Sequence, residues 1–238
     1  MPADDLAATT PQRVYGRRRG RPLRPGQRHL HETLLPQLAI TLPETGKLDP
    51  ASLFAERPET VWLEIGFGAG EHLAAQAAAH PGIGFIGAEV FENGVARLVA
   101  EIARTGIGTI RIFPDDIRVL LDALAPASLG RVFILFPDPW PKQRHHKRRL
   151  VSTATLDRLA VLMRPGAELR LATDDRDYLT WMLERAMAHP AFEWRARGPA
   201  DWRERPADWP PTRYEEKART AGRHPVFLRF VRRASPVL

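Results

Sequence analysis

Four carboxylates occupy the positions from which this chain would do chemistry: Glu64, Glu89, Asp116 and Asp138. Glu64 directly precedes a glycine cluster (Gly66, Gly68, Gly70). Glu89 closes the apolar run 84–90, Asp116 (with Asp115 beside it) follows the run 109–113, and Asp138 follows the run 132–136 between Pro137 and Pro139. An acid so placed can accept hydrogen bonds from hydroxyls, hold a cation, or offset positive charge that develops during a reaction. Trp140 then offers a ring face, and Lys142, Arg144, Lys147, Arg148 and Arg149 offer cations for phosphate. Carboxylate, stacking ring and phosphate-seeking loop together point to an enzyme acting on a nucleic-acid base. The alternative for this stretch is a strand ending in a proline turn with a solvated charge run. With no cysteine there is no thiolate nucleophile, disulfide or Cys-based zinc site. His145 and His146 stand among cations and read as phosphate neighbours, so no metal is expected.

The elements that must position these groups follow from periodicity. From Thr60 onward, strands and helices alternate. Strands are predicted at 61–65, 84–90, 109–113, 132–136 and 168–172. Helices are predicted at 71–79, 91–104, 117–124, 150–163 and 174–189, with Val95, Leu98, Val99 and Ile102 at helical spacing. Ser152 or Thr153 caps the fourth of these, and Pro165-Gly166 ends it. Two further strands are predicted at 192–197 and 226–231, separated by a Trp- and Pro-rich loop. Strict alternation implies an α/β, Rossmann-like, doubly wound, mostly parallel seven-stranded sheet with helices on both faces. Ligands of such sheets bind outside the carboxyl ends of the strands, which is where the four acids fall.

Composition bounds the rest. A chain of 238 residues with a net charge of +7 is long enough for one large core and favours polyanionic partners, nucleic acid before an acidic membrane surface. Residues 1–32 are rich in Arg, Pro and Gly and read as a disordered tail, either an RNA-binding arm or a solvated extension. Residues 33–238 read as a single domain, with the apolar segment 34–42 packed on its edge. No apolar run approaches the roughly 18–20 residues of a membrane span, and Met1–Thr10 lacks the apolar centre of a secretory signal. A cytoplasmic protein without membrane partners is expected.

The glycines let the backbone turn sharply and approach a ligand closely. A dinucleotide fingerprint would place Gly or Ala where Glu71 stands, and that carboxylate would face a pyrophosphate. Glu64 suits a cationic ligand better. The form E-x-G-x-G-x-G resembles motif I of the class I S-adenosylmethionine-dependent methyltransferases. Glu89, nineteen residues after Gly70, stands where a carboxylate accepts ribose hydroxyls. Asp116 or its neighbour Asp115 stands where this fold commonly contacts adenine.

Three more stretches extend the resemblance: Phe136-Pro137-Asp138-Pro139-Trp140-Pro141-Lys142 with Arg144 to Arg149, then Ala172-Thr173-Asp174, then Thr212-Arg213-Tyr214-Glu215. Together they closely resemble the bacterial tRNA (guanine-N7)-methyltransferases over residues 60–232. The resemblance implies methylation of N7 of guanine 46 in the tRNA variable loop, with S-adenosylmethionine as methyl donor. It implies cofactor contacts at Glu64, Gly66, Gly68, Glu89, Asp116 and Asp138, with Asp138 also catalytic at the cofactor–substrate junction. It implies substrate contacts at Lys142, Arg144, Lys147, Arg148, Arg149, Asp174, Thr212, Arg213, Tyr214 and Glu215. A monomer or homodimer without an obligate protein partner is expected. Trp140 and Tyr214 are each either a stacking platform or a packing aromatic, whereas Trp181, Trp194, Trp202 and Trp209 read as core or loop packing. The competing readings are a methyltransferase of the same fold acting on another amine of rRNA or protein, a non-catalytic RNA-binding protein, and a nicotinamide dehydrogenase.

Overall fold

Residues 16–234 are described by the computed structural model. Pro25 opens the first helix, α1 (Pro25–Thr33), where its missing N–H leaves no hydrogen bond unmade. A short α2 (Leu35–Leu38) follows, and then the alternation begins. Its elements are β1 (Val61–Ile65), α3 (Glu71–Ala79), β2 (Gly84–Ala88), α4 (Glu92–Thr105), β3 (Ile110–Phe113), α5 (Ile117–Ala123) and β4 (Leu129–Leu135). After them come α6 (Thr153–Leu162), β5 (Met163–Thr173), α7 (Arg176–Ala188), β6 (Phe192–Trp194), α8 (Ala200–Arg203), α9 (Arg213–Thr220) and β7 (Val226–Arg232).

The sheet has seven strands in the order β3-β2-β1-β4-β5-β7-β6. Strands β1 to β5 pair in parallel, and β7 runs antiparallel between β5 and β6. Order reverses between β1 and β4, so the crevice for a ligand opens there. β1 is buried at every position because helices cover both faces. Its side chains alternate, Leu63 and Ile65 joining the core under α5, α6 and α7, and Trp62 the core under α3 and α4. The segment after α2 runs along the β3 edge, with Ile40 N–H donating to Ile112. That covers an otherwise open strand edge.

Several boundaries differ from the sequence reading, two of them with a clear local cause. β5 starts at Met163, upstream of Pro165-Gly166, because a register shift opposite Leu129–Arg131 absorbs the turn within the strand. α6 starts at Thr153 rather than at residue 150, with Ser152, one of the two expected caps, accepting from Thr155 N–H. A larger correction concerns the arginine-rich segment, expected to lack structure through residue 32. α1 is helical and packs along α4, with Leu30 and Leu34 against the core. Ahead of it, Glu92 N–H donates to Arg18 O at 2.9 Å, and Gly20 N–H donates to Asn93 Oδ1 at 2.7 Å. Apolar contacts and backbone bonds supplied by α4 offset an ordering cost that local composition alone does not. The part of the expected tail before residue 16 lies outside the described residues. Among the described residues no helix is long and apolar enough to cross a membrane.

Candidate active site

The glycine loop joins β1 to α3. Gly66, Gly68 and Gly70 have φ of +76°, +59° and +82°, a region in which L side chains are strained. Gly94, in the first turn of α4, lets the loop come close: a Cβ there would sit 2.1 Å from Gly68 O. Glu89 ties loop and helix together. Its Oε2 accepts from Gly68 N–H at 2.8 Å, and its Oε1 accepts from Val90 and Phe91 N–H at 2.8 and 2.9 Å. Burial pushes the Glu89 carboxyl above the ordinary range against the pull of these three amides, and the charge of Asp138 adds to the rise.

The segment that follows β4 carries the second half of the site. Phe136 and Trp140 both adopt left-handed φ, +51° and +47°, on either side of Pro137-Asp138-Pro139. Such conformations cost on the order of 1–3 kcal/mol each and persist only where surrounding contacts fix them. Here Phe136 N–H is held by Ala172 O at 2.8 Å, and Arg149 Nε donates to Pro139 O at 2.8 Å. Asp138 is thereby left exposed at the crevice, near enough to Glu89 for their charges to interact.

Sequence reasoning put Arg149 on an RNA-facing rim. Instead its side chain is 1% exposed, pairs with Asp177 on α7, and lies 4.9 Å from the rings of both Tyr178 and Trp181. Burial pushes the Tyr178 phenol up to about 12, so it is a neutral wall for the guanidinium. The rest of the basic run forms a 3₁₀ turn, Gln143–Arg148. Lys142, Arg144 and Lys147 are exposed there, while Arg148 stacks 4.9 Å from the ring of Trp140.

The remaining predicted residues divide in the same way. Glu64 is buried and bonded to His72 Nδ1 at 2.7 Å, in a network that continues through Gln76 to Asp208 O. Asp116 caps α5 and pairs with Arg118 at 2.6 Å; burial raises its carboxyl, but Arg118 outweighs this and holds it low. Its half-exposed neighbour Asp115 meets Arg18 at 2.8 Å. Asp174 pairs with Arg223 at 2.6 Å. Thr212 caps α9, and buried Glu215 binds Arg205 and Arg219 at 3.2 and 3.1 Å. These bonds set the N-terminus of α9 against the glycine loop. There Tyr214, 41% exposed, closes on Gly68, and Arg213 lies 3.7 Å from Glu71.

Thus Gly66, Gly68, Glu89, Asp138, Arg213 and Tyr214 converge on one crevice beside the exposed basic turn, whereas Glu64, Arg149, Thr212 and Glu215 hold the walls. Sequence reasoning missed His72, Asn93 and Gly94. Only Gly94 carried a local signal, since glycine in a helix disfavours it by about 1 kcal/mol relative to alanine. Among the described residues no group of three or more His, Asp or Glu is placed to hold a metal ion.

Residues 58–228 match the family model described as "Putative methyltransferase". The chain is 53% identical over 228 residues to the tRNA (guanine-N(7)-)-methyltransferase of Rhodospirillum rubrum, covering 94% of this chain and 89% of that protein. It is 50% identical over 230 residues to the protein of the same name from Paramagnetospirillum magneticum, covering 96% of each. Among solved structures it resembles the 16S rRNA methyltransferase KamB, with a TM-score of 0.54 and 16% identity over 79% of this chain and 95% of that one. A 16S rRNA (adenine(1408)-N(1))-methyltransferase from Catenulisporales acidiphilia is similar at a TM-score of 0.53 and 18% identity, over 81% and 97%. At such identities these two establish the fold alone.

Proposed function

The chain belongs to the tRNA (guanine-N7)-methyltransferase family, and on that premise we propose that it transfers a methyl group from S-adenosylmethionine to N7 of guanine 46 in the tRNA variable loop. The observation that carries the reading is the convergence of Glu89, the glycine loop and Asp138 at the point where sheet order reverses. The cradle fits the cofactor: Gly66 leaves bare backbone with open space beside it, Gly94 lets the loop seat on α4, and Glu89 offers a carboxylate to ribose hydroxyls. When bound, the cofactor supplies an electrophilic methyl group on a sulfonium.

The residues then have little covalent work. N7 of guanine has an in-plane lone pair and no proton to lose, so the new N–C bond forms as the S–C bond breaks, without a general base. Rate comes from holding N7 in line with that bond and from placing negative charge beside the cationic product. Asp138, exposed on a strained and braced turn, holds the guanine edge or the cofactor amine and offsets the charge gained by the base. Lys142, Arg144 and Lys147 take phosphates beside it, and Tyr214 lies where a ring can stack on the base or cofactor. Glu64 acts from behind, by fixing the base of the loop through His72. The same reading places the enzyme in the cytoplasm as a monomer or homodimer, with no resident metal and no obligate protein partner.

Purified protein, labelled S-adenosylmethionine and unmodified tRNA, followed by nucleoside analysis, test this directly. The expected product is 7-methylguanosine at position 46. Label in an exocyclic amine, or in a different nucleoside, would overturn the substrate assignment.

A further inference from the structure

A groove lined by arginines runs from the glycine loop towards the β3 edge, whereas the 142–148 turn leaves β4 towards α7. Its outer part is a cavity of about 420 Å³ between α1 and α4, lined by Arg21, Pro22, Arg24, Gln27, Asn93 and Arg97. Its inner part, about 350 Å³, shares Arg21, Asn93 and Arg97, adds Arg17 and Arg213, and reaches Gly68 and Tyr214. Five arginines therefore line one continuous depression, of which Arg17 donates to Arg19 O and Arg213 lies near Glu71. Arg18 and Arg19 of the same segment spend their charge on Asp115 and Glu92. Among the described residues, the side chains of Arg21, Arg24 and Arg97 meet no carboxylate and make no hydrogen bond.

The backbone that carries these cations is also held in place. Asn93 accepts from Gly20 N–H and donates from Nδ2 to Arg21 O at 2.7 Å, which fixes the segment across the start of α4. A Cβ on Gly20 would lie 2.4 Å from Asn93 Oδ1 and would displace the amide that holds the segment. Converging like charges repel one another unless an anion joins them, and guanidinium forks suit phosphate oxygens. The outer part is lined mainly by polar groups and the two parts share three residues, which fits a run of phosphates better than one apolar ligand. We propose that it is a second phosphate-binding site, which takes the sugar–phosphate backbone of the substrate RNA adjacent to the target nucleotide. The proposal rests on the reading of the site as an RNA methyltransferase. With the basic turn on the other flank, the target base would be held over the crevice from two sides, by contacts that position without reading sequence.

The test is the double variant Arg24→Ala/Arg97→Ala in the full chain, with Arg195→Ala/Arg197→Ala, at the far β6 edge, as a control of equal charge change. Affinity for an unmodified tRNA transcript is measured across a salt series. The groove variant should bind roughly tenfold more weakly, and its log–log salt slope should flatten by about 1 per arginine. Its S-adenosylmethionine affinity and melting temperature should be unchanged, and Arg24→Lys/Arg97→Lys should keep most of the slope. Equal loss in the control pair, an unchanged slope, or loss only of binding to phosphatidylglycerol vesicles would overturn the site. If the wild type methylated no guanine N7 while the groove variant still lost salt-dependent tRNA binding, the activity reading would fail and the groove would stand.

Discussion

Arg149 Nε donates to the carbonyl oxygen of Pro139 at 2.8 Å, one residue after Asp138, while the other arm of the guanidinium pairs with Asp177 on α7. A residue that stands at the end of a cationic run is thus a brace. It links the proposed catalytic turn to the helix that follows β5, between the rings of Tyr178 and Trp181. The left-handed φ values of Phe136 and Trp140 are sustained by this bond and by the last rung of the β4–β5 ladder.

Arg149→Ala should therefore destabilise the fold by about 2–4 kcal/mol, through the cavity left and the bonds lost. Asp177 is 64% exposed and is not stranded by the change. Arg149→Lys keeps the charge but not the fork, so it should fold and yet turn over more slowly, with tRNA affinity close to wild type. Urea denaturation and filter binding separate the two effects. A loss of tRNA affinity in the folded Lys variant, as large as that of Arg144→Ala, would return Arg149 to the RNA-contacting set.

Asp138→Asn removes a charge from an exposed side chain whose turn is held by its neighbours. Stability should change by no more than roughly 0.5 kcal/mol, while kcat falls by on the order of 10²–10³-fold. Single-turnover methylation with saturating tRNA measures this. Near-normal turnover would take Asp138 out of the reaction.

The alternation of strands and helices was legible because each run is apolar at the spacing its element requires, and the acids could be placed once the runs were. What escaped reading depends on partners distant in sequence. Arg149 and Asp177 are 28 residues apart, so a run of cations read alone looks solvated. The segment around Gly20 is ordered by Asn93, 73 residues later, although nothing in its own composition would order it. Glu64 has the residue type for a cation, and its partner His72, one loop away and equally buried, is not evident from its own stretch of sequence. Residue type and strand position locate a crevice; tertiary partners decide which side chains enter it and which support it.

Glu89 gives a pH prediction whose sign can be worked out. In the free protein its carboxyl is raised, by burial first, so protons compete for it above the ordinary carboxylate range. Ribose hydroxyls that donate to it favour the ionised form, so the bound pKa lies below the free one. Cofactor affinity should then strengthen as pH rises through the free pKa and level off once Glu89 is ionised. For stability the sign is opposite. A folded-state carboxyl pKa above the unfolded value gives stability present below the unfolded pKa and lost as pH rises through the folded one. Calorimetric titrations of S-adenosylmethionine across a pH series that climbs from the ordinary carboxylate range should show the rise in wild type and its absence in Glu89→Gln. A rise that persists in the variant would assign the linkage to another group.

Gly94→Ala tests the contact between α4 and the glycine loop, because the two possible effects have opposite signs. Were Gly94 merely a helix residue, alanine would stabilise the protein by about 1 kcal/mol. A Cβ there would instead lie 2.1 Å from Gly68 O, a backbone atom that cannot swing aside. Relieving the clash must shift the loop, which also breaks the 2.8 Å bond from Gly68 N–H to Glu89 and exposes that buried carboxylate to loss of a partner. The variant should lose roughly 1–3 kcal/mol of stability and bind S-adenosylmethionine at least about tenfold more weakly, since the same shift moves both halves of the cradle. Thermal melts with and without cofactor give both quantities. A stabilised variant with unchanged cofactor affinity would mean that loop and helix do not meet as closely as this contact requires.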